Sequence, residues 1–169
     1  MTMDSVKQRT ILRATLIDAA LLTVACLIPA ASHLLALPLY KLNPMLMVVV
    51  AGMMLVPNRW NALLLAIIVP FATSLIAAMP TPLGALCMVC EYASVVTLFG
   101  LIARSRALGS RWAVFAAMLT AIIAGKAVYY LTKWLIVHPD QLVGTSVVWQ
   151  LVSVVAIAAA VAFLGKKRE

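Results

Sequence analysis

The stretch from Leu42 to Ile102 decides the fold; it reads LNPMLMVVVAGMMLVPNRWNALLLAIIVPFATSLIAAMPTPLGALCMVCEYASVVTLFGLI. Three apolar runs follow one another in it, separated only by the short turns PNRWN and MPTP. Such runs are typical of helices in a lipid bilayer, because lipid leaves only helices and closed barrels with every backbone group satisfied. The stretch therefore predicts three consecutive membrane helices.

The composition of the whole chain extends this interpretation beyond the three helices. Of its 169 residues, 65% are hydrophobic and 11% are charged, and the mean hydropathy is +1.09. Too little polar surface remains to coat a water-soluble protein of 18.1 kDa. We therefore exclude a soluble fold and expect one transmembrane helical domain over residues 1–169, with no separate soluble domain.

Six apolar segments are visible, and all are predicted to be helices of an all-α integral membrane protein. They are Ile11 to Ala30, Pro44 to Val56, Asn61 to Met79, Leu83 to Ala103, Trp112 to Ile136 and Val143 to Leu164. The second is short for a bilayer crossing, at roughly 13 residues, so a tilted or partly buried segment is the alternative to a full span.

The basic residues predict how these helices are oriented. Both ends of the chain are basic, so by the positive-inside rule both termini are expected in the cytoplasm and the number of crossings is expected to be even, namely six. All but Lys41, Lys126 and Lys133 of the 13 lysines and arginines then lie on the cytoplasmic side. The net charge of +8 is therefore interpreted as a sign of topology, and no nucleic-acid partner is expected.

Ionisable and polar side chains at bilayer depth are candidates for function, because an ionisable group there costs about 2.5 kcal/mol or more on insertion. Glu91 and Lys126 are expected at similar depths on the fourth and fifth helices, where they can pair. The fifth helix continues outward as a stripe at i, i+3, i+4 and i+7 spacing, made of Lys126, Tyr129, Tyr130 and Lys133. The sixth helix adds a polar face that includes Gln150, with Trp149 beside it.

These groups predict a binding pocket that opens to the outside. Its expected lining is Glu91, Lys126, Tyr130, Lys133, Trp149 and Gln150, capped by the first outer connection with His33, Lys41 and Asn43. The alternative is that Lys133 only extends to the outer headgroups and that Glu91 and Lys126 form a structural ion pair. Lys126 lies too deep to extend outward easily, which favours the pocket.

No motif in the sequence indicates catalysis or a bound cofactor. HExxH, GxSxG and phosphate-binding glycine loops are missing, and only five acidic residues are present. Cys87 and Cys90 form a CxxC pair inside an apolar helix without a second pair of ligands, so core packing is favoured over a metal or redox role. We expect a protein that is not an enzyme and that carries no metal or cofactor.

The first helix carries a ridge of small residues. Thr15, Ala19 and Thr23 recur every four residues, a spacing that lets another helix approach closely. That helix can belong to the bundle itself or to an external partner, and the sequence does not decide between the two.

The stretch from Leu42 to Ile102 resembles the substrate-binding S components of energy-coupling factor (ECF) vitamin transporters. The similar features are a short second helix ending in AGMML, a tight turn, a third helix with a proline and then an MP turn, and a fourth helix bearing Glu91 at mid-depth. Two features differ from the family pattern: Asn43-Pro44-Met45 stands where a histidine is often found, and PNRWNA replaces a glycine-rich turn.

The resemblance implies an S-component-like bundle of six helices in the inner (plasma) membrane of a bacterial-type cell. Such a protein captures a vitamin or related micronutrient from outside and delivers it through a membrane T component driven by two cytoplasmic ATPases. The Thr15, Ala19 and Thr23 ridge would dock on the T component. The predicted pocket favours an anionic or zwitterionic substrate. The alternative function is a membrane scaffold similar to the rod-shape-determining protein D, without a small ligand.

Overall fold

A computed structural model describes residues 3–35, 42–56, 58–104, 109–137 and 146–164. Within these residues the chain forms helices and no strand: α1 (Met3–Leu34), α2 (Pro44–Leu55), α3 (Arg59–Ala77), α4 (Pro82–Arg104), α5 (Arg111–Val137) and α6 (Val147–Leu164). Each predicted apolar segment corresponds to one helix, which confirms the all-helical fold class. The largest difference from the prediction concerns α1, which begins at Met3 rather than Ile11 and continues to Leu34 rather than Ala30. His33 therefore lies in its last turn and not in a loop as predicted.

Local sequence signals explain where the middle helices begin. The side chain of Asn58 accepts a 3.1 Å hydrogen bond from the backbone N–H of Trp60 and thereby caps the start of α3. Pro44 and Pro82 are the first residues of α2 and α4. Proline is well suited to this position, because its missing N–H would have no partner inside the helix.

Neighbouring helices run antiparallel, as contacts near their ends show. Thr73, near the end of α3, donates a hydrogen bond to the sulfur of Met45, at the start of α2. Trp112, at the start of α5, stacks edge-on against Phe163, at the end of α6, with ring centroids 5.8 Å apart. The bundle therefore has two ends: the Asn43 end, where α2, α4 and α6 begin, and the Arg104 end, where they finish.

The short helix α2 lies at the centre of the bundle, in contact with α1, α3, α4 and α6. Leu46, Val48, Val49, Val50 and Gly52 are all buried. At Gly52 a methyl group would overlap the end of the Leu65 side chain, which would have to shift, and would lie in ordinary contact with Leu21, so α1, α2 and α3 pack closely at this position. The core of the protein is thus built around α2.

Five of the described helices are long and apolar enough to cross a membrane; α2, with 12 residues, is not among them. At 1.5 Å per residue, α2 rises about 18 Å, against about 30 Å for the hydrocarbon core of a bilayer. These helices indicate a multi-pass membrane protein. Five helices thus have spanning length, and α2, expected as the sixth span, is short and central.

The helix α1 is attached to the bundle along one side only. On that side, the carboxylate of Asp18 accepts a 2.9 Å hydrogen bond from the side-chain amide of Asn61 in the first turn of α3. The opposite side of α1 is exposed and includes Leu16 and Leu27, with 62% and 60% of their surface accessible. Large apolar side chains at this exposure agree with a surface that faces lipid or another membrane helix.

Candidate functional site

The centre of the candidate site is an ion pair between α4 and α5. The ammonium nitrogen Nζ of Lys126 lies 2.8 Å from Oε1 of Glu91. The Glu91 side chain is only 1% exposed, whereas that of Lys126 is 21% exposed. Apart from this ammonium, Oε1 has no hydrogen-bond partner among the described residues. The cation is therefore the more accessible member of the pair, and it is the member that a ligand would meet first.

A glycine brings the two helices close enough for this pair. A methyl group on Gly125, directly before Lys126, would lie 2.5 Å from Cγ2 of Val95 and 3.0 Å from the backbone oxygen of Glu91. Real side chains do not approach backbone and neighbouring carbon atoms so closely. Only glycine allows this packing of α4 against α5, the most extensive contact between two helices in the described part of the chain.

Asn43 extends the site to the start of α2. Its backbone is left-handed, with φ 50° and ψ 55°, and its side chain does not cap its own helix. The amide oxygen instead accepts a 2.9 Å hydrogen bond from the hydroxyl of Tyr92, which is completely buried. Tyr92 directly follows Glu91 on α4, so this bond holds Asn43 near the buried carboxylate. Asn43, predicted to cap the pocket, thus lies near its deepest charge.

Aromatic and polar side chains continue the site along α5 toward the Asn43 end. Nζ of Lys126 lies 5.3 Å from the ring centroid of Tyr129, within the range of a cation–π contact. One turn further, the hydroxyl of Tyr130 donates a 2.6 Å hydrogen bond to the amide oxygen of Gln150 in the first turn of α6. The predicted stripe on α5 therefore faces α4 at Lys126 and α6 at Tyr130.

The remaining predicted residues are placed with less detail. Lys133 is partly buried in the last two turns of α5, and Trp149 is 40% exposed in the first turn of α6. His33 belongs to α1 by its backbone, and its side chain is outside the description. Lys41 lies outside the described residues altogether. The structure thus brings Glu91, Lys126 and Asn43 together and places Tyr130 with Gln150 beside them.

Two residues of this site were missed by sequence reasoning. Tyr92 is adjacent to Glu91 in the sequence, and a tyrosine directly after a buried carboxylate is a signal that was available. Gly125 directly precedes Lys126, and a glycine inside a long apolar helix indicates a close approach by a neighbour. Neither residue belongs to the polar stripe on α5 or to the polar face of α6 from which the pocket was predicted.

The arrangement places two opposite charges side by side inside the bundle. The carboxylate and the ammonium neutralise each other, so the cluster carries a strong local dipole and little net charge. The side chains of Asn43, Tyr130 and Gln150 are only partly buried and can exchange hydrogen bonds with a polar ligand. Within the described residues, no group of three or more histidine, cysteine or acidic side chains is arranged to hold a metal ion.

The proposed docking ridge lies on the exposed side of α1. Thr15, Ala19 and Thr23 are all exposed. The two threonine hydroxyls donate to the backbone oxygens of Ile11 and Ala19, four residues earlier, at 3.1 Å and 2.8 Å. The ridge therefore presents only small side chains, and the hydrogen bonds donated by its hydroxyls are made within the helix. Within the described residues, no helix of the bundle covers this ridge.

A cavity occurs at the opposite end of the bundle, away from the predicted pocket. It is a groove of about 520 Å³ between the end of α2, the start of α3 and the second half of α4. Its lining includes Met53, Trp60, Gly100 and Arg104, none of which was a predicted site residue.

Comparison with known proteins adds nothing to these observations: no protein-family profile, curated protein or solved structure matches the chain.

Proposed function

We propose that this chain is the high-affinity substrate-binding S component of an ECF-type importer. It captures a vitamin or related micronutrient at the outer face of the inner (plasma) membrane and passes it to a T component driven by two cytoplasmic ATPases. In this arrangement the Asn43 end faces outward and both termini lie in the cytoplasm. The sequence resemblance over Leu42 to Ile102 and the basic residues near the Arg104 end support this orientation.

The observation that carries the proposal is the buried contact of Glu91 with Lys126 and its hydrogen-bonded surroundings. An ion pair that only held α4 to α5 would need no further polar groups, because polar groups are costly inside a membrane protein. Here Asn43 and Tyr92 lie beside the pair, and Tyr130 with Gln150 lies one turn away. Polar groups from three helices and from the residue before α2, within about one helical turn of one another, support a ligand site better than a structural contact.

The charge of this cluster favours a zwitterionic substrate among the substrates expected from the sequence. Lys126 does not offer an unopposed positive charge, because Glu91 lies 2.8 Å away. A ligand that carries both a carboxylate and a positive group can align against this dipole without leaving either protein charge unpaired. A simple anion would instead have to compete with Glu91 for the ammonium of Lys126.

The test is ligand-induced thermal stabilisation of the full chain purified in detergent. A panel of vitamins and their precursors is added one at a time, each in neutral, anionic or zwitterionic form. A ligand present at 100 times its dissociation constant adds about 2.7 kcal/mol to the stability of the protein. One compound should therefore raise the unfolding temperature clearly above the rest of the panel.

Variants then locate the site of that compound. Lys126→Ala should weaken binding by more than about tenfold, which corresponds to the loss of roughly one charge-assisted hydrogen bond. The matched control is Arg111→Ala, which removes an exposed positive charge at the other end of the bundle. If no compound stabilises a cooperatively unfolding sample, the binding function is contradicted and the scaffold alternative replaces it.

A further inference from the structure

The groove at the Arg104 end has the shape of an elongated, laterally open slot. Along α4 its lining runs from Val96 to Arg104, eight residues or about 12 Å of helix. Its other wall is formed by Met53 in α2 and by Trp60 and Leu63 in α3. Trp60 and Leu101 at its margin are 62% and 56% exposed, so the slot opens to the outside of the bundle.

The floor of the slot is open at a glycine. A methyl group added to Gly100 would meet no other atom within 4 Å, in contrast to the tightly packed Gly52 and Gly125. Gly100 is followed on the same face by the lining residues Ala103 and Arg104 and preceded by Val96 and Thr97. The slot is thus mainly apolar along its length and basic at its end.

The arginines at this end of the bundle are not paired with an acidic side chain among the described residues. The carboxylate of Asp18, on α1, accepts a hydrogen bond from Asn61, and Glu91 is paired with Lys126 near the other end. Arg104 and Arg111 are both exposed, and neither forms a salt bridge with a described residue. A partner for this end must therefore bring negative charge, and a partner for the slot must also bring an apolar chain.

We propose that this groove binds one anionic phospholipid, with its phosphate beside Arg104 and one acyl chain along Val96 and Gly100. Tryptophan favours the boundary between the headgroups and the hydrocarbon, so Trp60 places that boundary at the level of Arg104. The basic end then lies among the headgroups, and the apolar length of the slot lies at acyl-chain depth. The proposal is independent of the proposed transport function, because it concerns a different end of the bundle.

The experiment measures lipid binding to the delipidated full chain by native mass spectrometry. Phosphatidylglycerol and phosphatidylcholine with identical acyl chains are titrated separately. A single cation near an anionic headgroup contributes about a fivefold preference, so phosphatidylglycerol should bind about fivefold more tightly, with one lipid per chain. Arg104→Gln should abolish this preference, and Gly100→Leu, which fills the slot, should weaken binding of both lipids.

Matched variants distinguish lipid binding in the groove from a general attraction of anionic lipids to the basic end of the bundle. Arg111→Gln removes an exposed arginine that does not line the slot, and Gly109→Leu adds the same side chain at another open glycine. Both should bind lipid like the parent protein. If Gly100→Leu does not unfold cooperatively, Thr97→Trp at an exposed lining position replaces it.

Three outcomes would overturn the proposal: equal affinity for the two lipids, equal losses in Arg104→Gln and Arg111→Gln, or unchanged binding in the folded groove-filling variant. Equal losses in the two arginine variants would indicate a diffuse basic belt without a defined site. A ligand-binding test at Lys126 would be unaffected by any of these results, so the failure of one proposal does not decide the other.

Discussion

The hydroxyl of Tyr92 and the side-chain amide of Asn43 are joined by a 2.9 Å hydrogen bond that links α4 to the residue before α2. Tyr92 is completely buried, and Asn43 has a left-handed backbone that is unusual outside glycine. The bond therefore fixes the side chain of a strained residue next to Glu91. The geometry at the entrance of α2 and the position of the buried carboxylate are coupled through it.

Two substitutions at Asn43 should separate the contribution of its side-chain hydrogen bond to stability from that of its left-handed backbone. Asn43→Gly loses the bond but tolerates φ 50°, and we expect a loss of about 1 kcal/mol in the free energy of unfolding. Asn43→Ala should lose about 1–2 kcal/mol more, because alanine is strained in the left-handed region. Thermal unfolding in detergent measures both, and equal losses would show that the backbone conformation is not retained.

The ion pair should behave as a coupled unit. Lys126→Met leaves the buried carboxylate of Glu91 without a counter-charge and should destabilise the protein by about 3–5 kcal/mol. The double variant Lys126→Met with Glu91→Gln removes both charges and should recover most of that loss. A double-mutant cycle of unfolding free energies gives the comparison, and additive losses would argue against direct contact.

The packing of α4 against α5 should depend on Gly125. Gly125→Ala places a methyl group 2.5 Å from Cγ2 of Val95, and we expect a destabilisation of about 1–3 kcal/mol from overpacking. Gly100→Ala, where no atom lies within 4 Å, is the matched control and should leave stability nearly unchanged. Adding Val95→Ala to Gly125→Ala should recover only part of the loss, since the backbone oxygen of Glu91 still lies 3.0 Å away.

The bond between Asp18 and Asn61 should survive an exchange of the two side chains. Asn61→Asp alone would place two carboxylates in a contact now 2.9 Å long, and we expect a loss of about 1–3 kcal/mol in unfolding free energy. Adding Asp18→Asn restores a donor and an acceptor in the reverse order. Recovery of the unfolding temperature in the double variant is the expected result, and a further loss would contradict the contact.

The helices could be predicted from the sequence because lipid imposes one rule on every segment, namely a long apolar run with its backbone bonds formed internally. Helices α2 to α5 begin and end within two residues of their predicted bounds, for example Pro82–Arg104 for the segment Leu83 to Ala103. The end of α1 was wrong by four residues, because Ser32 and His33 were interpreted as polar loop residues. Polar residues in the last turns of a helix do not interrupt its backbone bonds.

The candidate site was predicted only in part. A sequence shows how far along its helix a residue lies, but it does not show which face of the helix turns toward the bundle. Equal depth correctly suggested the contact between Glu91 and Lys126. Which face of α4 points inward depends on packing against α2 and α5, and this packing is what brings Tyr92 to Asn43. The groove beside Gly100 could not be foreseen either, because an unfilled space leaves no pattern in the residues that surround it.

Because the short helix α2 lies at the centre of the bundle, the apolar thickness of the protein is smallest there. Its 12 residues cover about 18 Å of a barrier about 30 Å thick. Helices α1, α3, α4 and α6 contact it, so this short apolar length is enclosed by the bundle. Measured from Asn43, the apolar path along α2 is therefore shorter than the path along any of the five long helices.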